Sequence, residues 1–163
     1  MKRRSLLAAG LGWPLVAALP RAWAVPAAPG EGVQWPEVRL LDGSRWAPPP
    51  GHAVVVVFWS ATCEFCLRHN AHVEKLHRAA AGRPLAVLGV CKDDSATVAR
   101  RHIADHGYTF PVTLDAAPMA AVLSTRRITP LTVTVDRQGR LKQVIPGEMF
   151  EDDVMELLKR LAG

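Results

Sequence analysis

The segment Ala53-Val-Val-Val-Val-Phe-Trp59-Ser-Ala-Thr-Cys-Glu-Phe-Cys66 is the part of this 163-residue chain that most strongly indicates its fold. Its first half is an unbroken run of β-branched and aromatic residues, which is typical of a strand buried on both faces inside a parallel sheet. The residues from Cys66 to Ala81 have the apolar spacing of a helix, closed by Gly82 and Pro84. This order of strand, turn and helix places Cys63 close to a helix N-terminus.

The rest of the chain alternates between predicted strands and helices. Strands are predicted at 85–90, 111–114, 131–135 and 141–145, and helices at 96–106, 118–123 and 151–161. Two short strands, 38–41 and 44–46, surround Asp42-Gly43, a dipeptide that supplies the positive φ of a tight hairpin turn. We therefore predict an α/β fold with a central mixed β-sheet flanked by helices and an N-terminal β-hairpin.

Two cysteines separated by two residues stand at the start of the first helix. Such a pair can interconvert between dithiol and disulfide, because the helix N-terminus stabilises the first cysteine as a thiolate. We expect Cys63 to attack and Cys66 to resolve. The alternative is half of a zinc site, whose other ligands would be Cys91, His69 or His72. No second ligand pair has the usual zinc spacing and a buried strand directly precedes the cysteines, so redox chemistry without a metal is favoured.

The first 24 residues have the pattern of a signal peptide. Lys2-Arg3-Arg4 precedes an apolar run over 6–19, and Ala22-Trp23-Ala24 has the small residues of a cleavage site. The run is shorter than the ~20 residues that span a bilayer, so cleavage is favoured over the alternative of an uncleaved membrane anchor. We predict export to the periplasm by the secretory or twin-arginine route. A flexible lead-in over 25–34 and one domain over 35–163 follow.

The charge of the chain changes when the predicted signal peptide is removed. Residues 1–24 contain four basic and no acidic residues, so the formal charge of +5 falls to +1, with 16 basic against 15 acidic residues. A nearly neutral chain with scattered Lys and Arg offers no basic stripe for phosphates, which argues against nucleic acid binding. All three cysteines lie outside the signal peptide, and their odd number argues against a structural disulfide framework.

Four segments together resemble one known family. Val57-Phe-Trp-Ser-Ala-Thr-Cys-Glu-Phe-Cys66 looks like the active-site stretch of the TlpA/ResA-like periplasmic thioredoxins. Three further segments occur in the order and spacing of that family: Leu88-Gly-Val-Cys-Lys-Asp-Asp94, Phe110-Pro-Val-Thr-Leu-Asp115 and Ile128-Thr-Pro-Leu-Thr-Val-Thr-Val-Asp-Arg-Gln-Gly139. The resemblance covers residues 35 to 162 and implies a thioredoxin-like fold.

The resemblance adds a second half to the cysteine site. In that family the proline that matches Pro130 has a cis peptide bond and faces the cysteine pair. Thr129 and Pro130 are therefore expected to bind substrate, because the turned backbone of Thr129 would pair with an extended segment beside the sulfurs. A trans proline that opens a strand is the alternative.

Several residues near the cysteines are expected to modulate the site. Phe65 replaces the proline common in the family, and His69 stands where ResA-like members often carry glutamate. Glu64 adds negative charge, which disfavours thiolate and favours a reductant. His69 follows Cys66 by one helical turn and could accept its proton, although a surface histidine is more common there. Cys91 ends the neighbouring strand, and its alternative role is that of a small buried apolar residue.

We therefore predict a thiol-disulfide oxidoreductase that reduces disulfides of exported proteins and needs no cofactor beyond the Cys63–Cys66 disulfide. By the resemblance, its substrates are cysteines of apocytochrome c or of a copper-site assembly factor, and a membrane thiol-disulfide transporter returns the electrons. A disulfide oxidase or isomerase is the alternative, because Thr129 resembles the residue of the isomerase group. A third hypothesis is a metal-binding chaperone that uses Cys63, Cys66 and a histidine.

Overall fold

The computed structural model describes residues 25–163, and the predicted signal peptide, residues 1–24, lies outside them. The described elements are, in chain order, β1 (Val38–Arg39), β2 (Arg45–Trp46), β3 (Ala53–Trp59), α1 (Glu64–Ala79), β4 (Leu85–Cys91), α2 (Ala96–His106), β5 (Val112–Thr113), α3 (Ala116–Leu123), β6 (Leu131–Val135), β7 (Leu141–Pro146) and α4 (Glu151–Ala162). This order confirms the predicted alternation. None of these described helices is long and apolar enough to cross a membrane.

Strand β3 lies at the centre of a five-stranded sheet whose order is β5-β4-β3-β6-β7. It runs parallel to β4 and antiparallel to β6, so the sheet is mixed. All seven residues of β3 are buried, as its unbroken β-branched run predicts. The sheet, the helices on both of its faces and the antiparallel hairpin of β1 and β2 confirm the predicted fold class.

Two apolar cores lie on opposite faces of β3, because successive side chains of a strand point to opposite faces. Trp59 and the other odd-numbered residues of β3 face the core that includes α1 and α4. Phe58 and the even-numbered residues face the core that includes α3. Trp59, Phe58 and Phe110 are core residues, and burial of each such side chain contributes roughly 1.5–3 kcal/mol to folding.

The starts of two helices differ from the sequence prediction. Helix α1 begins at Glu64 rather than Cys66, because the backbone of Cys63 is extended and its sulfur accepts the N–H of Cys66. Cysteine is not one of the usual capping residues, so the pattern of capping residues could not mark this start. The helix predicted at 118–123 begins earlier, as α3 at Ala116, and Asp115 precedes it without capping it with its side chain. Its carboxylate instead accepts the backbone N–H of Arg39 at 2.7 Å.

The segment 25–34 packs on the domain, which corrects the prediction of a lead-in that contributes nothing to the core. Gly30 and Val33 donate backbone hydrogen bonds to the carbonyl groups of Leu141 and Gly139, at 2.7 and 2.9 Å. Val33 is only 8% exposed. Because β7 is an edge strand, its free backbone groups can pair with an extended segment of any composition. The Ala, Pro and Gly content of 25–34 therefore could not reveal this pairing.

Gly89 lies in β4 at a point where a side chain has no room. A methyl group there would lie 2.7 Å from Cε2 of Phe110 and 3.1 Å from Nε1 of Trp59. Gly89→Ala should therefore lower the free energy of unfolding by about 1–3 kcal/mol, because the added carbon overpacks a closed core. Urea unfolding followed by tryptophan fluorescence measures the change.

Gly32→Ala is the matched control, since a methyl group at Gly32 meets nothing within 4 Å. It should change the free energy of unfolding by less than about 0.5 kcal/mol. Wild-type stability of Gly89→Ala would contradict the packing described around β4.

Candidate active site

Cys63 and Cys66 form a disulfide at the N-terminus of α1. Their Cα atoms are 5.2 Å apart. The backbone N–H of Cys66 points at the Sγ of Cys63, with a nitrogen-to-sulfur distance of 3.2 Å. Cys66 is fully buried, whereas Cys63 is partly exposed. A second protein can therefore reach the sulfur of Cys63 more readily than that of Cys66.

The start of β6 lies directly beside this disulfide. The Thr129–Pro130 peptide bond is cis, and the carbonyl oxygen of Thr129 is 3.7 Å from the Sγ of Cys63. The sheet explains the proximity, since Phe58 at the end of β3 pairs with Leu131 at the start of the antiparallel strand β6. Two segments far apart in the sequence thus meet at one edge of the sheet.

The parallel pairing of β3 with β4 brings a third segment to the same edge. Trp59 pairs with Cys91, and Asp93 follows two residues later. One oxygen of Asp93, Oδ2, accepts the backbone N–H of Ala61 at 2.7 Å and the thiol of Cys91 at 3.2 Å. Asp93 therefore ties the end of β4 to the turn that precedes Cys63.

Cys91 is a free, fully buried thiol. Burial raises its pKa to about 12, so the thiol stays protonated and donates to Asp93 at neutral pH. A thiol in this state is a poor nucleophile, because the thiolate is the reactive form. Cys91 is therefore a buried thiol that donates a hydrogen bond to Asp93, which in turn contacts the turn that precedes Cys63.

His69 is fully buried, so the expectation of a surface histidine at this position was wrong. Its Nδ1 accepts the backbone N–H of Met149 at 3.1 Å, which leaves Nε2 to carry the proton and donate to Oγ1 of Thr132 at 2.9 Å. Burial, helped by the nearby His72, lowers the pKa of His69 to about 4. A neutral imidazole therefore joins α1 to β6 and to the segment after β7.

Helix α1 is further attached to the loop segment, residues 147–150, which connects β7 to α4, and to the first residue of α4. Arg68 makes a two-pronged ion pair with Glu148, with both nitrogen-to-oxygen distances at 2.9 Å. Lys75 pairs with Glu151 at 2.6 Å. The loop segment also reaches the start of β6, since the N–H of Gly147 donates to the carbonyl group of Pro130 at 2.8 Å. Each exposed ion pair contributes little to stability alone, but together they fix the loop segment beside the disulfide.

The two residues between the cysteines are exposed. Phe65 is 57% exposed, and the guanidinium of Arg68 lies over its ring, 5.0 Å from the ring centre. Glu64 also pairs with Arg68, at 3.3 Å, so its negative charge is partly balanced. Phe150 of the loop segment and Ile128, near Pro130, are exposed apolar side chains as well, at 79% and 48%. The disulfide thus lies within a partly apolar surface.

Sequence reasoning missed the roles of Asp93, Glu148 and Met149. Asp93 was named only within the resembling segment 88–94, and the side chain that caps α2 is Ser95, which accepts the N–H of Val98. The position of Asp93 at the end of a strand parallel to β3 was the available signal. Glu148 and Met149 gave no signal, because their contacts with α1 span about 80 positions. Within residues 25–163, no three His, Cys, Asp or Glu side chains are grouped so as to hold a metal ion.

The curated relatives of the chain share one description. The thiol-disulfide oxidoreductase ResA of Geobacillus kaustophilus is 26% identical over 113 residues, which cover 68% of this chain and 64% of that protein. The ResA of Bacillus subtilis is 26% identical over 114 residues, covering 67% and 63%. The chain thus spans slightly less than two thirds of the length of these relatives. They confirm the TlpA/ResA-like resemblance found in the sequence.

Solved structures show the same fold. A DsbF homologue from Corynebacterium diphtheriae superimposes with a TM-score of 0.72 at 24% identity, covering 81% of this chain and 87% of that one. A secreted Mycobacterium tuberculosis disulfide oxidoreductase homologous to E. coli DsbE gives a TM-score of 0.66 at 16% identity, covering 77% and 95%. The sequence model of the Redoxin family matches residues 46–160, which is well over half of the chain. The protein is therefore a member of the Redoxin family, with relatives of the ResA type.

Proposed function

We propose that the protein is a thiol-disulfide oxidoreductase that reduces disulfides of exported protein substrates through Cys63 and Cys66. One observation carries the proposal: a partly exposed cysteine sulfur at a helix N-terminus faces a backbone N–H, with the carbonyl group of Thr129 3.7 Å away. The ResA relatives, whose description is thiol-disulfide oxidoreductase, support the same activity.

The helix N-terminus prepares Cys63 for nucleophilic attack. In the dithiol form, the N–H of Cys66 and the positive end of the α1 dipole would both stabilise a negative charge on the Cys63 sulfur. The Cys66 sulfur lies beneath the surface and has no comparable access to a partner. Cys63 is thus the attacking group and Cys66 the resolving group.

Exchange transfers two electrons to the substrate. The Cys63 thiolate attacks one sulfur of the substrate disulfide, the substrate bond breaks, and the released thiolate takes up a proton. The Cys66 thiol then loses its proton and attacks Cys63, which forms the Cys63–Cys66 disulfide and releases the second substrate thiolate. The substrate gains two electrons and two protons. An external dithiol must return the electrons before the next cycle.

The charges on α1 and between the two cysteines favour reduction over oxidation. No basic residue lies between the cysteines, and Arg68, the cation that contacts Phe65, is already paired with Glu64 and Glu148. The Cys63 thiolate therefore has no free neighbouring cation on α1, and a strongly stabilised thiolate is what makes an oxidant. We expect a potential nearer to the about −270 mV of thioredoxin than to the about −120 mV of strong oxidants.

The sequence supports a proposal for the location and the partners of the protein. The pattern of residues 1–24 supports export to the periplasm, or a membrane anchor if the signal peptide is retained. The family resemblance supports apocytochrome c cysteines or a copper-site assembly factor as substrates, with a membrane thiol-disulfide transporter as the electron donor. In every case the partner is a protein thiol or disulfide.

Substitution of each cysteine tests the division of roles. Cys63→Ser should abolish reduction of a protein disulfide such as that of insulin, because the attacking sulfur is lost. Cys66→Ser should accumulate mixed disulfides through Cys63, because the resolving sulfur is lost. Turbidity after insulin reduction and mass spectrometry of non-reduced adducts measure the two effects. Accumulation of adducts on Cys63→Ser would contradict this assignment.

Replacement of Cys91 tests whether it takes part in exchange. Cys91→Ser keeps a hydrogen-bond donor for Asp93, and its rate of insulin reduction should stay within about twofold of the wild-type rate. Cys91→Ala leaves Asp93 without that donor, so the free energy of unfolding should fall by about 1 kcal/mol. In the native oxidised protein, the Cys91 thiol should resist alkylation because it is buried and protonated. Loss of exchange in Cys91→Ser would show a redox role for the third thiol.

The stability of the fold should fall in acid because of His69. Its pKa is lowered from 6.5 to about 4 by burial, so protonation favours the unfolded chain. The stabilising effect is present above pH 6.5 and is lost as the pH falls through about 4. His69→Gln should flatten the dependence of the free energy of unfolding on pH in this range.

His102→Gln is the matched control for this test. Burial also lowers the pKa of His102. His102→Gln should therefore flatten a separate part of the pH dependence of the free energy of unfolding and leave the part due to His69 in place. His69→Gln should also keep the wild-type pH profile of exchange, since both ring nitrogens of His69 are engaged. A shifted exchange profile would instead assign His69 a part in proton transfer.

A further inference from the structure

The two sides of the disulfide differ in charge. On the side of the loop segment, Arg68 and Lys75 are paired with Glu148 and Glu151. On the other side lie three exposed cations, here called the cationic rim: Lys92, Arg126 and Arg127. None of the three takes part in an ion pair among residues 25–163.

Lys92 and Arg127 of the cationic rim are in contact, and the rim lies on two segments that border the disulfide. Lys92 directly follows Cys91 at the end of β4, and its backbone N–H donates to the carbonyl group of Trp59 at 2.8 Å. Its ammonium donates to the carbonyl group of Arg127 at 3.2 Å, which joins β4 to the segment before Pro130. Two residues after Arg127, the carbonyl group of Thr129 lies 3.7 Å from the Sγ of Cys63.

Carboxylates of the chain do not neutralise the rim. Asp93 is turned inward, where it accepts hydrogen bonds from Ala61 and Cys91. Asp94 is the exposed carboxylate next to it in the sequence, and it forms no ion pair among the described residues. The rim therefore carries a net positive charge on the segments that flank the disulfide.

We propose that the cationic rim selects protein disulfides whose cysteine is flanked by carboxylate side chains. This inference rests on the proposed reduction of protein disulfides and names the class of substrate. A segment that lies across Thr129 places one flank of its cysteine near the rim, where carboxylates are attracted and Lys or Arg are repelled. Exposed charges of this kind mainly change the rate at which the protein and its substrate associate, and salt screens the effect.

Reduction of a small series of disulfide peptides by the reduced protein tests this preference. The peptides share one intramolecular disulfide and differ only in the flanking residues, which are Glu, Gln or Lys on either side. At low salt, a Glu-flanked peptide should be reduced about fivefold faster than the Gln-flanked peptide through a lower KM, and a Lys-flanked peptide should be slower. At about 0.5 M salt the difference should disappear.

The double variant Arg126→Ala, Arg127→Ala removes two of the three rim cations, so it should lose most of the preference for Glu and keep the wild-type rate on the Gln-flanked peptide. Arg83→Ala, Arg160→Ala is the matched control, because it removes two exposed cations that also form no ion pair within residues 25–163. Arg83 precedes β4, at the opposite end of the sheet, and Arg160 lies in the last turn of α4. The control should keep the full preference.

The possible outcomes separate the two proposals. Equal rates on all peptides, or a Glu preference that is undiminished in the Arg126 and Arg127 double variant, would overturn the role of the rim while leaving disulfide reduction intact. Failure of the wild-type protein to reduce any peptide or insulin would overturn the proposed function, and the substrate preference with it.

Discussion

The pairing of β3 with β4 on one side and β6 on the other is the constraint on which the site depends. Parallel pairing carries the end of β4 to the end of β3, and antiparallel pairing carries the start of β6 to the same place. The helix that follows β3 must begin there, so its N-terminal N–H groups point at the same small region. One buried strand thereby assembles Cys63, Asp93 and Thr129 from three distant parts of the chain.

Residues with a local signature could be predicted from the sequence. The β-branched run of β3 and the apolar spacing of the helices gave the order of elements, because those patterns depend on burial along one short segment. The cysteine spacing gave the pair that forms the disulfide. The resemblance to ResA-like proteins added Thr129 and Pro130, which no local pattern would have linked to Cys63.

Contacts between distant segments could not be predicted. The burial of His69 depends on Thr132 and on the loop segment, both of which are far away in the sequence. The alanine-rich and proline-rich composition of 25–34 concealed its pairing with β7, because backbone hydrogen bonds leave no mark in side-chain composition. In both cases the residues themselves were visible in the sequence, but the distant residues that contact them in the fold could not be predicted.

Both edges of the central sheet are covered by segments that come before it in the chain. Residues 30–33 hydrogen-bond to β7 and its preceding turn, and Leu41 donates to the carbonyl group of Val112 in β5. Open strand edges are the places where folded proteins join into larger aggregates. A chain that began at Trp35 would lose Val33 from the core and uncover backbone groups of β7. The N-terminal extension therefore covers backbone groups through which copies of the domain could otherwise pair. The boundaries chosen for a recombinant domain determine whether these groups stay covered.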